Sequence, residues 1–391
     1  MPIIKSISAR KILNSHVEFT SEFIIELIDG SVGIGSSPMG ETISIYEDRE
    51  FKITPELVIT RLHNDGLFER EITQEELDEY LTTIIPFIGR NNAFSLSLAF
   101  FKATTSGKSG FQVLASKDKK KLSPPRLCLN ILNGGKYAYT NPVLSDFSEF
   151  MLVAKNNDIE EVISEHNEIQ KEIKSELNLL ERISVGKQMV HHFKTADNRH
   201  PLELLVKVLD HLGFRNKYDL MIDASAGDLW HDGNYAFSLT DKKILSSEEL
   251  NSYWLSIIKD YNLRFLEDPF YEKDYEAWAQ LTREAKDCLT IGDNLYSSDT
   301  NRIKIGHDRK LSHGVVIKPN QAGTITKVKE ALTTAQDLGL VVITSHRSIS
   351  TEETFLSFLT CVYQADYIKI GPLLTDYSSV LRLNEIIRLT S

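Results

Sequence analysis

Short apolar runs recur through the second part of the chain, and each ends on a residue able to do chemistry. Leu220-Met221-Ile222 precedes Asp223, Phe265-Leu266 precedes Glu267, and Leu289-Thr290-Ile291-Gly292 precedes Asp293. Val315-Val316-Ile317 leads to Lys318, Val341-Val342-Ile343-Thr344-Ser345 to His346, and Tyr367-Ile368 to Lys369. The first interval is 44 residues and the next four are 26, 25, 28 and 23. A strand, a helix and two loops need about 25 to 30 residues, so this beat predicts repeated βα units closing into a barrel. In such barrels the C-terminal strand ends form the active face, which is where these residues fall.

The first part of the chain reads differently. Ile7 to Leu13, Ser21 to Ile28 and Ser31 to Ile34, with Asp29-Gly30 as turn chemistry, predict an antiparallel meander. Helical periodicity follows over Thr54 to His63, Thr73 to Thr82 and Asn92 to Thr105, where Phe94, Leu98 and Phe101 share one face. A charge run with a Pro pair, Ser116 to Pro125, has the composition of a connector. The expectation is an α/β protein: an α+β domain over residues 1–120 and a barrel over 121–391. The lysines of the connector read as a solvated loop.

Composition narrows the function classes. With 41% apolar and 25% charged residues, the 391-residue chain is globular and has no compositional mark of disorder. A net charge of −11 gives no overall footprint for nucleic acid, so any anion is bound at a focused site. No stretch approaches the roughly 18 apolar residues of a spanning helix, and Met1 to Ser6 has no signal-peptide core. The three scattered cysteines, Cys128, Cys288 and Cys361, fit neither a disulfide framework nor a zinc motif and read as buried thiols. Together these features predict a cytoplasmic protein with neither a membrane nor a nucleic acid as partner.

Asp223, Glu267 and Asp293, at the ends of three successive strands, converge on one rim. Hard oxygen ligands without a nearby cysteine favour Mg²⁺ over zinc. Lys318 and Lys369 reach the same rim, and a lysine beside a metal and another cation is able to act as a base near neutral pH. Arg347 and Ser348, at a strand end, suit an anion such as phosphate.

The residues also carry a family resemblance. Asn130-Ile131-Leu132-Asn133-Gly134-Gly135, Ser148-Glu149-Phe150-Met151, Leu266-Glu267-Asp268-Pro269-Phe270 and Gly292-Asp293-Asn294-Leu295 resemble the motifs of the enolase (phosphopyruvate hydratase) family. So do Ile317-Lys318-Pro319-Asn320-Gln321-Ala322-Gly323, Ser345-His346-Arg347-Ser348 and Ile368-Lys369-Ile370-Gly371, in the same order, over nearly the whole length. The resemblance implies an enolase-like TIM-type barrel with an N-terminal capping domain, and a Mg²⁺ held by Asp223, Glu267 and Asp293. It implies Lys318 as base at the substrate α-carbon, with Lys369 and the metal steadying the doubled charge on the carboxylate. Arg347 and Ser348 then hold a phosphate, with His346 and Tyr137 in the substrate-binding set. The implied substrate is a small phosphorylated or phosphono carboxylate, and the implied assembly a homodimer.

Departures from the family cluster at the leaving group and the lid. Val185-Gly186-Lys187-Gln188 puts Gln188 where the family's Gly-Asp-Glu-Gly-Gly loop has its glutamate, and an amide donates no proton as a general acid. Glu149 matches a second family glutamate and is able to take the acid's place, alone or through water. Lys136-Tyr137 stands where the family has a histidine after Asn-Gly-Gly, and Asn14 to Thr20 differs from the family's Asp-Ser-Arg-Gly-Asn-Pro-Thr. The lid, whose serine completes a second metal site in the family, is replaced by Ser36 to Thr42 before Ile45-Tyr46-Glu47 resumes the pattern. Three functions follow: a lyase that dehydrates 2-phosphoglycerate or a close analogue, an altered homologue of phosphonate or phosphinate biosynthesis resembling a carboxyphosphonoenolpyruvate synthase, or a non-catalytic binding scaffold. In the second, Lys136, Lys187, His191 or His192 meets the extra charge.

Overall fold

The structure, a computed structural model, describes all residues except 41–42, 48–52, 69, 106–121 and 136–137. The expected domain boundary, most of the connector and the Lys136-Tyr137 pair therefore lie outside the described residues.

The N-terminal meander forms as expected, from Ile4–Leu13, Phe19–Leu27 and Val32–Ser36 in antiparallel order. Helices Pro55–Asn64, Gln74–Ile88 and Arg90–Thr105 follow. Thr73 starts the second helix with a capping box to Glu76, which satisfies two otherwise orphaned N–H donors. That helix runs past Thr82 because its buried stripe of Leu77, Leu81, Ile84, Ile85 and Ile88 continues through Pro86. The third helix serves two cores: Ala93, Leu96, Ala99, Phe100 and Ala103 pack on the meander, while Phe94, Leu98 and Phe101 join the barrel core. Its approach to the sheet demands glycine, since a Cβ on Gly33 would lie 1.9 Å from the Ala99 carbonyl oxygen.

Eight strands close into the barrel: Arg126–Asn133, Glu149–Ala154, Tyr218–Asp223, Phe265–Glu267, Leu289–Gly292, Gly314–Ile317, Val341–Ser345 and Tyr367–Lys369. The uniform βα repeat needs one correction. Glu149–Ala154 runs antiparallel to both neighbours, because the described residues of the segment before it carry no helix to return the chain for a parallel pairing. Glu149 therefore begins its strand at the same rim where the other strands end, paired directly with Asp223, which in turn pairs with Glu267. The long interval between Asp223 and Glu267 holds an extra small sheet, Trp230–His231, Asn234–Ala236 and Ile244–Leu245.

Strand alternation aims the functional side chains. Cys128, Met151, Met221, Phe265, Ile291, Val316 and Tyr367 cluster together with Val153 and Ile343 as the apolar plug inside the barrel. Each of those seven stands two residues from Asn130, Glu149, Asp223, Glu267, Asp293, Lys318 or Lys369. A period of two puts both members of each pair on one face, so the plug floors a polar chamber at the rim. All three cysteines are buried and free. Among the described residues no helix is long and apolar enough to cross a membrane.

Candidate active site

The chamber is a cavity of about 650 Å³ opening at the strand ends. Glu149, Asp223, Asp293, Lys318, Arg347 and Lys369 line it, as do His346 and Ser348. Glu267 lies beneath them, fully buried.

Lys369 Nζ is the centre of the floor. It donates to Glu267 Oε1 and Oε2 at 2.9 and 3.0 Å and to Asp223 Oδ2 at 3.0 Å, and Glu149 Oε2 also stands 3.0 Å away. Burial by itself lowers the lysine pKa, but Glu149, Glu267, Asp223 and Asp293 outweigh it and hold the ammonium well above the ordinary range. Lys318 Nζ makes its ion pair with Asp293 Oδ2. Among the described residues no three Asp, Glu, His or Cys side chains already converge as metal ligands, because lysines hold the carboxylates.

The donor set still suits a hard divalent cation. Four carboxylates share two ammonium groups at this buried rim. Burial above all, and then the neighbouring Asp223 charge, push Glu267 well above the usual carboxylate range. Oxygen donors with surplus charge and no thiolate are what Mg²⁺ takes.

Arg347 is 3% exposed, with its Nη1 donating to Glu47 Oε2 at 2.6 Å. His346 is half-buried, its Nδ1 2.8 Å from the Arg347 carbonyl, and desolvation with nearby Arg382 holds its pKa well below the usual value, so the ring is neutral at pH 7. Gly371 makes room for that ring: its φ is +96° and a Cβ there would meet His346 Cε1 at 2.9 Å. Ser15 Oγ donates to the Ser348 carbonyl at 3.5 Å.

Gln188 stands outside the cavity lining. It begins one strand of a hairpin, Glu181–Val185 with Gln188–His192, and its Oε1 accepts from the Ala138 N–H at 2.9 Å. On the same hairpin His191 Nδ1 lies 2.9 Å from the carbonyl of Pro142, outside the hairpin, and Lys187 is exposed at the turn. Tyr137 lies outside the described residues.

Several contributors were not singled out from the sequence. Asn130 Nδ2 donates to Glu149 Oε1 at 2.8 Å and orients that carboxylate. Asp268 accepts from the Asp293 and Asn294 N–H groups at 3.0 and 2.8 Å, fixing the turn that carries Asp293. Both sit inside the family-like motifs, which was the available signal.

Residues 121–391 match the family model described as enolase, C-terminal TIM barrel domain. The chain is 30% identical over 393 residues to the enolase of Sulfolobus acidocaldarius, covering 94% of this chain and 91% of that one. It is 29% identical over 414 residues to the enolase of Ehrlichia ruminantium, covering 98% and 96%. The enolase of Saccharolobus solfataricus is 26% identical over 392 residues, covering 94% and 91%. A barrel with one reversed strand, a rim of carboxylates and lysines, and a match over almost the full length lead to one assignment: the chain belongs to the enolase family.

Proposed function

We propose that this chain is a Mg²⁺-dependent carbon–oxygen lyase that removes the proton α to a carboxylate and eliminates water from 2-phosphoglycerate or a close analogue, giving an enolpyruvate. The observation that carries the reading is that Lys318, Lys369 and Arg347, from three different strand ends, open onto one cavity beside Asp223 and Asp293.

Asp223, Glu267 and Asp293 would hold Mg²⁺, which supplies positive charge to the substrate carboxylate when bound. Lys318, in its neutral form, takes the proton from C2. The electron pair moves onto the carboxylate oxygens, where the Lys369 ammonium stabilises the dianionic species more than the ground state. Arg347 and Ser348 hold the phosphate and fix C2 at the base, and neutral His346 fills the wall beside them. As the C3–O bond breaks, Glu149 or a water it orients protonates the departing hydroxyl. Residues 1–120 cap the site and 121–391 carry it, in a cytoplasmic homodimer with neither nucleic acid nor membrane as partner.

A second reading, an altered homologue acting on a phosphono carboxylate, is favoured by Gln188. Its amide supplies no proton, and its oxygen is engaged by Ala138 outside the cavity lining. The non-catalytic reading is disfavoured by the buried charges of the rim, a cost in stability that a binding scaffold has no need to carry. The test is enolpyruvate formation from 2-phosphoglycerate with Mg²⁺, for the native protein, Lys318→Ala and Gln188→Glu. Native turnover lost in Lys318→Ala supports the lyase; inactivity of the native protein and of Gln188→Glu, with turnover of a phosphono carboxylate, supports the altered homologue.

A further inference from the structure

Segment 43–47 of the N-terminal domain lies against the barrel rim through four of its residues. Ser44 Oγ donates to the Asn294 carbonyl at 3.1 Å, and the Ile45 N–H donates to Glu272 Oε1 at 3.3 Å. The Arg302 guanidinium stands 4.3 Å over the Tyr46 ring. The fourth contact is the ion pair between Glu47 and Arg347, whose side chains are 8% and 3% exposed.

Arg347 lines the cavity, whereas Glu47 is outside the lining. A carboxylate on one edge of a guanidinium fixes its plane and leaves donors on the other edge for a second anion. Gly40, three residues before that segment, restricts the guanidinium further: a Cβ on it would lie 1.8 Å from Arg347 Nη2.

The second oxygen of Glu47 leads toward the base. Gln321, 2% exposed, donates through Nε2 to Glu47 Oε1 at 3.2 Å and to Asp293 Oδ1 at 3.4 Å. Gln321 Oε1 accepts from Ser298 Oγ at 2.8 Å, and that hydroxyl oxygen accepts from the Lys318 N–H at 2.8 Å. Asp293 Oδ2 closes the ring on Lys318 Nζ. The path Arg347–Glu47–Gln321–Asp293–Lys318 joins the two ends of the cavity, and Glu47 is its member from the N-terminal domain.

We infer that Glu47 is a positioning residue that fixes the Arg347 guanidinium for an anionic group of the substrate and, through Gln321, keeps that group in register with Lys318. The inference rests on the functional reading above, in which Arg347 is the anion-binding side chain. The opposite role, a carboxylate competing with substrate for Arg347, predicts effects of opposite sign.

The test is equilibrium binding of inorganic phosphate to the full chain, by calorimetry or phosphorus NMR. Glu47→Ala weakens binding about tenfold, the scale of one lost charge-assisted hydrogen bond. Glu47→Gln keeps an acceptor for Nη1 and stays within about threefold of the native protein. In an Arg347→Ala background Glu47→Ala adds nothing. Should the alanine variant lose its fold, Glu47→Met, of similar volume but without a carboxylate, carries the same prediction. Unchanged or tighter phosphate binding by Glu47→Ala overturns the inference alone, as does an effect that survives in the Arg347→Ala background. Native protein that binds no phosphate, or an Arg347→Ala variant that binds it as well as native, overturns the reading of Arg347 and the inference with it.

Discussion

Lys369 donates to both carboxylate oxygens of Glu267, at 2.9 and 3.0 Å, where Glu267 is wholly shielded from solvent. The same ammonium serves Asp223 and Glu149. Replacing it by methionine leaves a buried carboxylate cluster without its counter-charge, which costs about 3–5 kcal/mol. Mg²⁺ recovers part of that loss, because it neutralises the same oxygens. Urea unfolding of native protein and Lys369→Met, with and without Mg²⁺, checks this; an equal loss in both conditions would separate the metal from this cluster.

Glu149 and Gln188 are expected to differ sharply. Glu149 lines the cavity and is oriented by Asn130, so Glu149→Gln lowers kcat by about 10²- to 10⁴-fold. Gln188 is tied to Ala138 outside the lining, so Gln188→Ala changes kcat by less than about threefold, within the scatter of a replacement remote from the reacting atoms. Steady-state kinetics of the two variants on one substrate distinguishes them.

Acid weakens the fold through His166. This ring is buried in helix Ile159–Leu177, and burial lowers its pKa from 6.5 to about 4. The unfolded chain therefore binds a proton that the folded chain refuses between these values. Stability from the neutral ring is complete above the unfolded pKa and falls as pH drops toward 4, by about 2 kcal/mol between pH 7.5 and pH 5. His166→Gln removes that part of the pH dependence, as measured by urea unfolding at the two pH values.

The barrel was legible because its strands are short, buried and evenly spaced, and because strand alternation puts Asp223, Glu267, Asp293, Lys318 and Lys369 on one inner face. The reversed strand was not legible from that beat. Glu149 lies at a strand start, where a reading based on strand ends has no reason to look, and only the family-like motif pointed to it. Phe94, Leu98 and Phe101 do share a face, yet nothing in their spacing says that the face belongs to the barrel core while the rest of the helix packs on the meander. Glu47 and Gln321 both fall in family-like stretches, but the pairings of Glu47 with Arg347 and Gln321 escaped because they span 300 and 274 residues of chain and leave no local pattern.

In the proposed reaction Lys318 removes the proton α to the substrate carboxylate. Proton NMR of 2-phosphoglycerate in D₂O with Mg²⁺ tests it directly, by following deuterium entry at C2 together with enolpyruvate formation. Native protein is expected to give exchange or elimination, and Lys318→Ala neither. Folded native protein that leaves the C2 proton in place at saturating substrate and metal would contradict it.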